Sequence, residues 1–435
     1  MASTYRCLNV NDGMSDGVSE ALPRETDAAP APDAAMAPRP ASAPPEPARP
    51  GPTPFESVAL LLQGGGALGA SQAGVYERLA EAGVEPTWVA GISIGAINCA
   101  IIAGNAPGKR VGKLRSFWEQ VSATNDLGIG QLWSQVQLPD VVRGWVNQVQ
   151  AGAVMANGVP GFFAPRMPPP WMTGTGPNNT ASYYDNTALR ATLERLVDFD
   201  RINRREMRFS VGAVNVRTGN FAYFDNATDT IRPEHIMASG ALPPAFAAVE
   251  VDGEFYWDGG LVSNTPLDWV LSSRSGLDTL VLQVDLWAAD GALPADLASV
   301  AVRMKEVQFS SRTRAATDNF RRVEKLRTAF NELLAQMPQS LAASPQARLL
   351  ADASDQAVYN IVQLVYHSPT YEGESKDYEF SRRTMEDHWR AGYQDAGATL
   401  AHPEVLALPP LEQSPAVYDF LTRNRQAATS PPVSI

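Results

Sequence analysis

The sequence predicts an α/β protein built on a parallel sheet. Three observations lead there. An apolar run, SVALLL at 57–62, ends in glycines. A second run, TWVAG at 87–91, ends in a Gly-x-Ser-x-Gly turn. After each run the apolar residues recur at helical spacing. Strand, loop, helix, strand, turn, helix is the opening of an arrangement in which parallel strands alternate with covering helices.

Residues 21–54 hold 11 Pro and 10 Ala among 34 positions, with few large apolar side chains. Such a stretch cannot offset the entropy of ordering, so 1–54 reads as a disordered arm and order is expected from Phe55. In 68–82, Val75, Leu79 and Ala82 recur at helical spacing, and Gly83 supplies a stop. The segment 94–103 is apolar on every side, which predicts a buried helix ending at Gly104 and a buried Cys99. Residues 155–182 are rich in Pro, Gly and Asn, with Phe162, Phe163, Trp171 and Met172 among them. This predicts a long surface loop that covers a site, with the aromatic stretch 162–172 either serving that site as contact wall or lid or stapling the loop down. Strands are expected at 209–216, 221–224 and 279–286. VEVDGEFYW at 249–257 alternates about Asp252-Gly253, a hairpin signal. Beyond about Gly291 the chain turns charged, and 297–337, 357–365 and 378–400 read as helices. The residues 291–435 therefore form a helical C-terminal region of unassigned role.

With 435 residues and a net charge of −12, the surface argues against nucleic acid and against electrostatic docking on anionic lipid. Membrane contact, if made, would be apolar and transient. Cys7 and Cys99 are too few for a disulfide framework. The N-terminus lacks a basic start followed by an apolar stretch, and no apolar window is long enough to span a bilayer. A cytoplasmic location is expected. No cofactor is implied, no metal-ligand cluster is visible, and the oligomeric state is not legible.

Two readings compete for the glycine loop. Gly64-x-Gly66-x-x-Gly69 follows a strand and opens a helix, as in a dinucleotide fingerprint. That fingerprint also needs an acid at the end of the second strand. Glu85 precedes Pro86 and enters the strand; what leaves it is Gly91-Ile92-Ser93-Ile94-Gly95. Gly-x-Ser-x-Gly at a strand-to-helix turn is a nucleophile elbow, tight enough that the residues two before and two after the serine must lack side chains. Ser93 then sits at a helix N-terminus, which favours developing negative charge. The loop starting at Gly64, 29 residues earlier, lies at the end of the adjacent strand and faces the same crevice. Amides of Gly65 and Gly66 are therefore expected to meet the oxygen of a carbonyl under attack. Such donors contribute about 3–4 kcal/mol each in a transition state.

A serine nucleophile needs a base. His367, His388 and His402 carry no local signature and read as packing or surface residues, whereas His235, just after Pro233, reads equally as a helix-start residue or a chemical one. Asp258, in YWDGGLVSNTP, closes an apolar hairpin strand before two glycines. It is either a turn former or a base whose weak intrinsic basicity is raised by desolvation beside Tyr256 and Trp257.

Together, Gly64–Gly69, Gly91–Gly95 and Asp258-Gly259-Gly260 resemble the three motifs of the patatin-like phospholipase family in their order. ASGALPP at 238–244 is similar to that family's segment before the aspartate. The likeness covers roughly 55–286. It implies a three-layer fold related to cytosolic phospholipase A2, with a mainly parallel central sheet and helices on both faces, and 55–290 as the catalytic domain. It implies a serine acyl hydrolase of the phospholipase A kind that cleaves lipid esters with a Ser93–Asp258 dyad and no histidine. Gly64, Gly65 and Gly66 would form its oxyanion hole. A non-lipid ester or a storage polyester on the same dyad is the nearest alternative, and a nucleotide-binding or scaffold module is a further one. Leu68 stands where many members carry Arg or Lys, so an anchor for an anionic head group is missing. The C-terminal helices resemble an extension found in a bacterial subset.

Overall fold

The computed structural model describes residues 53–123, 139–172, 181–273, 276–352, 357–369 and 371–421. All but the last two residues of the Pro/Ala-rich arm, and Cys7 with them, lie outside that set. Eleven strands are present among the described residues: β1 Ser57–Leu62, β2 Trp88–Gly91, β3 Ala164–Pro165, β4 Tyr184–Asp185, β5 Arg208–Asn215, β6 Phe221–Asp225, β7 Val249–Val251, β8 Glu254–Asp258, β9 Thr279–Asp285, β10 Tyr359–Val365 and β11 Ala416–Tyr418. All except β3 and β4 join one sheet, ordered β11-β10-β9-β1-β2-β5-β8-β7, with β6 also paired to β5. From β11 to β5 every pairing is parallel; β6, β7 and β8 pair antiparallel.

The alternation of side chains along β1 explains the layers. Val58, Leu60 and Leu62 enter one apolar cluster, and Ala59 and Leu61 enter the other. A strand buried on both faces must be apolar throughout, as SVALLL is. The first face is covered by α1 (Gly69–Glu81), α2 (Ile94–Ala103) and α3 (Pro107–Val121), the second by helices Leu267–Ser272 and Leu297–Gln336. Cys99 is fully buried in α2, as its apolar surroundings foretold. β1 stands between β2 and β9, so the chain switches direction there and opens a crevice at the C-terminal ends of these strands.

The C-terminal region departs from the helical expectation at two places. Residues 357–365 form β10, parallel to β9 with Ile361 opposite Val281. The run YNIVQLV is short, β-branched and buried on both faces, and a pattern of that length does not separate helix from strand. β11, which the sequence reading lacked, adds a further parallel strand at the edge. The expected helices at 297–337 and 378–400 are present as Leu297–Gln336 and Arg382–Leu400. In the expected loop at 155–182, residues up to Asn157 belong to a helix, and 173–180 lie outside the described residues. Among the described residues no helix is long and apolar enough to cross a membrane.

Helix Arg382–Leu400 crosses α1 at two glycines. A Cβ on Gly74 would stand 1.9 Å from the Trp389 carbonyl oxygen, and one on Gly392 would stand 1.9 Å from that of Ser71. Backbone on both sides leaves nothing to yield. Gly74→Ala and Gly392→Ala should each cost about 1–3 kcal/mol or more in urea unfolding. Gly112→Ala, in α3 with open space around it, should instead stabilise by roughly 0.5–1 kcal/mol.

Candidate active site

The elbow is dictated by backbone contact. Ser93 takes φ 55° and ψ −123° and caps α2. For a non-glycine residue such a conformation costs on the order of 1–3 kcal/mol and persists only when its surroundings enforce it. They do so through the flanking glycines. A Cβ on Gly91 would lie 2.5 Å from the Gly95 carbonyl carbon, and one on Gly95 would lie 2.1 Å from the Leu62 oxygen. Ser239, at the end of helix Pro233–Ser239, fixes the turn from the side: its Oγ accepts the Ser93 N–H at 3.0 Å and donates to the Gly212 carbonyl at 2.7 Å.

The glycine loop follows β1. The Gly64 N–H donates to the Asn264 carbonyl at 3.3 Å, and its own carbonyl accepts from Asn264 Nδ2 and Trp287 Nε1, both at 2.9 Å. Gly64 is thereby committed to the scaffold. Among the described residues, the amides of Gly65 and Gly66 donate to no acceptor, and both residues are half-exposed like Ser93. These two are the free donors of the loop. Gly69 lets α1 meet α2, since a Cβ there would sit 2.6 Å from Ile94 Cγ1. Leu68 is fully buried in the core and does not reach the cavity. An apolar residue suits that position.

Asp258 ends β8, opposite Ala213 of β5, and is 2% exposed. Burial pushes its pKa up to about 6, while the nearby Ser93 side chain and the Gly260 N–H, which donates to Oδ1 at 2.7 Å, favour its charge. Gly259 and Gly260 have steric reasons to be glycine: a Cβ on the first would lie 2.7 Å from the Gly212 oxygen, and one on the second 3.0 Å from Asn264 Oδ1.

Gly64, Gly65, Gly66, Ser93 and Asp258 line one cavity of about 630 Å³. Its wall is apolar, with Ile97, Phe162, Phe163, Phe246 and Phe380 among the lining residues. Phe162 and Phe163 are buried, the first stacked on Phe246 and the second edge-on to it, so the aromatic stretch both staples the loop and forms the wall. Met167 and Trp171 also line the cavity but are 84% and 75% exposed, which places them at its rim.

Among the described residues, no histidine lines the cavity. His235 bonds the Arg232 backbone, His367 the Val365 carbonyl, and His402 stacks on Phe420. His388 is buried against Glu372. Glu85, the would-be ribose ligand, is taken by Arg110 at 2.5 Å and the Tyr76 hydroxyl at 3.1 Å. The sequence reading passed over Asn264, Trp287 and Ser239. Asn264 and Ser239 sit inside the stretches YWDGGLVSNTP and ASGALPP, and a polar residue within a motif that carries the site was the available signal.

Two family models match the chain: Patatin-like phospholipase over residues 60–271 and Patatin phospholipase over 307–412. The protein belongs to the patatin-like phospholipase family, which at the family level makes it a lipid hydrolase. Among solved structures, the chain is similar to VipD from Legionella pneumophila, at 16% identity and TM-score 0.35, covering 80% of this chain and 67% of that one. It is also similar to the ExoU–SpcU complex of the Pseudomonas aeruginosa type III secretion system, at 14% identity and TM-score 0.24, covering 74% and 67%. No curated protein matches.

An ionised Asp258 in this position is costly. Because its pKa in the fold lies above the ordinary carboxylate value, the folded state binds the proton more tightly than the unfolded chain. Stability is therefore highest below the unfolded pKa and declines as pH rises through the folded one. Asp258→Asn, which removes the charge and keeps the acceptor for Gly260, should be more stable than the parent by about 1–3 kcal/mol at about pH 8. In urea titrations across pH, that advantage should vanish as pH approaches about 4.

Proposed function

We propose that this protein cleaves long-chain acyl esters of lipids through an acyl-enzyme on Ser93, with Asp258 as the base and the Gly65 and Gly66 amides as oxyanion donors. The observation that carries the reading is a serine on a strained elbow, beside a buried aspartate, with both lining an apolar cavity whose described lining holds no histidine.

Ser93 Oγ attacks the ester carbonyl while its proton passes to Asp258. The oxygen of the tetrahedral intermediate takes its charge against the two free glycine amides and the N-terminus of α2. Collapse breaks the bond to the alcohol, which leaves with the proton from Asp258. Water then attacks the acyl group, gives a proton to Asp258, and restores the Ser93 hydroxyl as the fatty acid departs. An aspartate with its pKa near 4 is a poor base for this; one raised to about 6 is closer to the operating range. The aromatic wall supports an apolar acyl chain over a short polar one, because burial of each methylene contributes about 0.8 kcal/mol.

A fluorophosphonate probe should label Ser93 and no other residue, as read by mass mapping of the modified peptide. Ser93→Ala should lower ester turnover by a factor on the order of 10⁴ or more while the protein stays folded. Turnover should rise with pH through about 6, where Asp258 loses its proton, and level off above. A nitrophenyl ester series should favour long acyl chains. Parental turnover in Ser93→Ala would end this reading.

A further inference from the structure

We infer that residues 371–388, beyond the 60–271 match and within the one at 307–412, are a working part of the site, with His388 as a positioning residue for the oxyanion loop. The inference rests on the reading of Ser93 and the glycine loop given above. Its basis is the way Ala67, the residue after Gly66, is gripped.

Both polar groups of Ala67 are held by this segment. Its N–H donates to the Asp377 carbonyl at 2.8 Å, and its carbonyl meets His388 Nδ1 at 3.3 Å. Gly66, at φ 56°, lies so close that a Cβ would stand 2.0 Å from the same Asp377 oxygen. The grip is anchored in turn. Lys305 Nζ, from helix Leu297–Gln336, binds the Asp377 carboxylate at 2.9 Å. His388 Nε2 meets Glu372 Oε1 at 2.8 Å, and the Tyr366 hydroxyl donates to that same oxygen at 2.8 Å.

The chemistry of these partners sets the state of the ring. A backbone carbonyl and a carboxylate only accept, so each ring nitrogen must donate, and His388 is held as an imidazolium. Burial opposes that charge, and Glu372 and Glu379 favour it strongly enough to leave the histidine pKa raised.

A run of three glycines has too much conformational freedom to aim its own amides. Gly64 is fixed by Asn264 and Trp287, whereas Gly65 and Gly66 carry the free donors and need restraint from beyond them. Clamping Ala67 on both sides supplies it, with Asp377 holding the Gly66–Ala67 peptide by its N–H and His388 holding the Ala67–Leu68 peptide by its carbonyl. A donor misplaced by about 1 Å can forfeit a large share of its effect on rate.

A pillar and a positioning residue are separable by two substitutions in the full chain. In His388→Gln the amide nitrogen falls near the Nε2 position and keeps Glu372 while releasing Ala67. In His388→Asn it falls near Nδ1 and keeps Ala67 while releasing Glu372. With a nitrophenyl ester, His388→Gln should lose roughly 10- to 100-fold in kcat with KM within about twofold and stability near the parent. His388→Asn should lose more stability yet keep kcat within about threefold. Rate and stability thus fail in opposite variants. Parental kcat in His388→Gln, or kcat following stability in both, overturns the inference; if His388→Asn does not fold, His388→Gln decides alone. Turnover surviving in Ser93→Ala would instead strike the underlying reading, and a dead Ser93→Ala beside a fully active His388→Gln strikes only this one.

Discussion

Helix α2 begins in backbone contact with the end of β1, and the rest of the site depends on that contact. The Leu62 oxygen occupies the place a Cβ on Gly95 would need. Only glycine lets the elbow come so near the first strand, and only that nearness brings the two loops together. The result is visible at the next residues, where a Cβ on Gly64 would lie 3.1 Å from Ser93 Cβ. Two loops at the ends of adjacent parallel strands would face one crevice in any such fold. Here they touch.

That contact explains why strain at Ser93 persists. The left-handed backbone is held by glycines on either side and by the Ser239 hydroxyl bridging to the Gly212 carbonyl. Asp258 adds a second unfavourable element, a carboxylate buried at the end of β8 with its pKa raised by desolvation. Both costs fall at the floor of one cavity, while the surrounding sheet is apolar on both faces. Concentrating strain and a desolvated charge at one point, inside an otherwise consistent scaffold, is the pattern expected of a site shaped for reaction.

Much of this was legible in the sequence because backbone geometry writes itself in glycine. The triple glycine, the elbow and Asp258-Gly259-Gly260 each mark a place where a side chain cannot fit, and such places survive translation into a linear string. β1 and β9 were legible because strands buried on both faces must be uniformly apolar. The 357–365 strand was not, because a short apolar run carries no period, and its partner β9 lies far away in the chain. Asn264 and His388 escaped for a related reason. Their importance lies in which carbonyl they reach, Gly64 for one and Ala67 for the other, and tertiary contacts of that range leave no local mark.

The glycine loop is also secured from behind, by a single side chain. Gln63 Oε1 accepts the amides of Leu286 at 2.6 Å and Trp287 at 3.1 Å, while Nε2 donates to Thr265 Oγ1 at 3.0 Å and to the Phe309 carbonyl at 3.2 Å. A glutamine amide has two donors and two acceptor sites, and all four are used. They join the end of β1 to the end of β9, to the strand-to-helix turn that carries Asn264, and to helix Leu297–Gln336. The C-terminal part of the chain therefore meets the loop on two sides, through Phe309 behind it and Asp377 beyond it. A buried amide with every valence filled is rigid because any shift leaves a polar group unpaired. Rigidity of that kind is what flexible glycines need to hold their amides in one direction, and the proposed oxyanion role requires that of them.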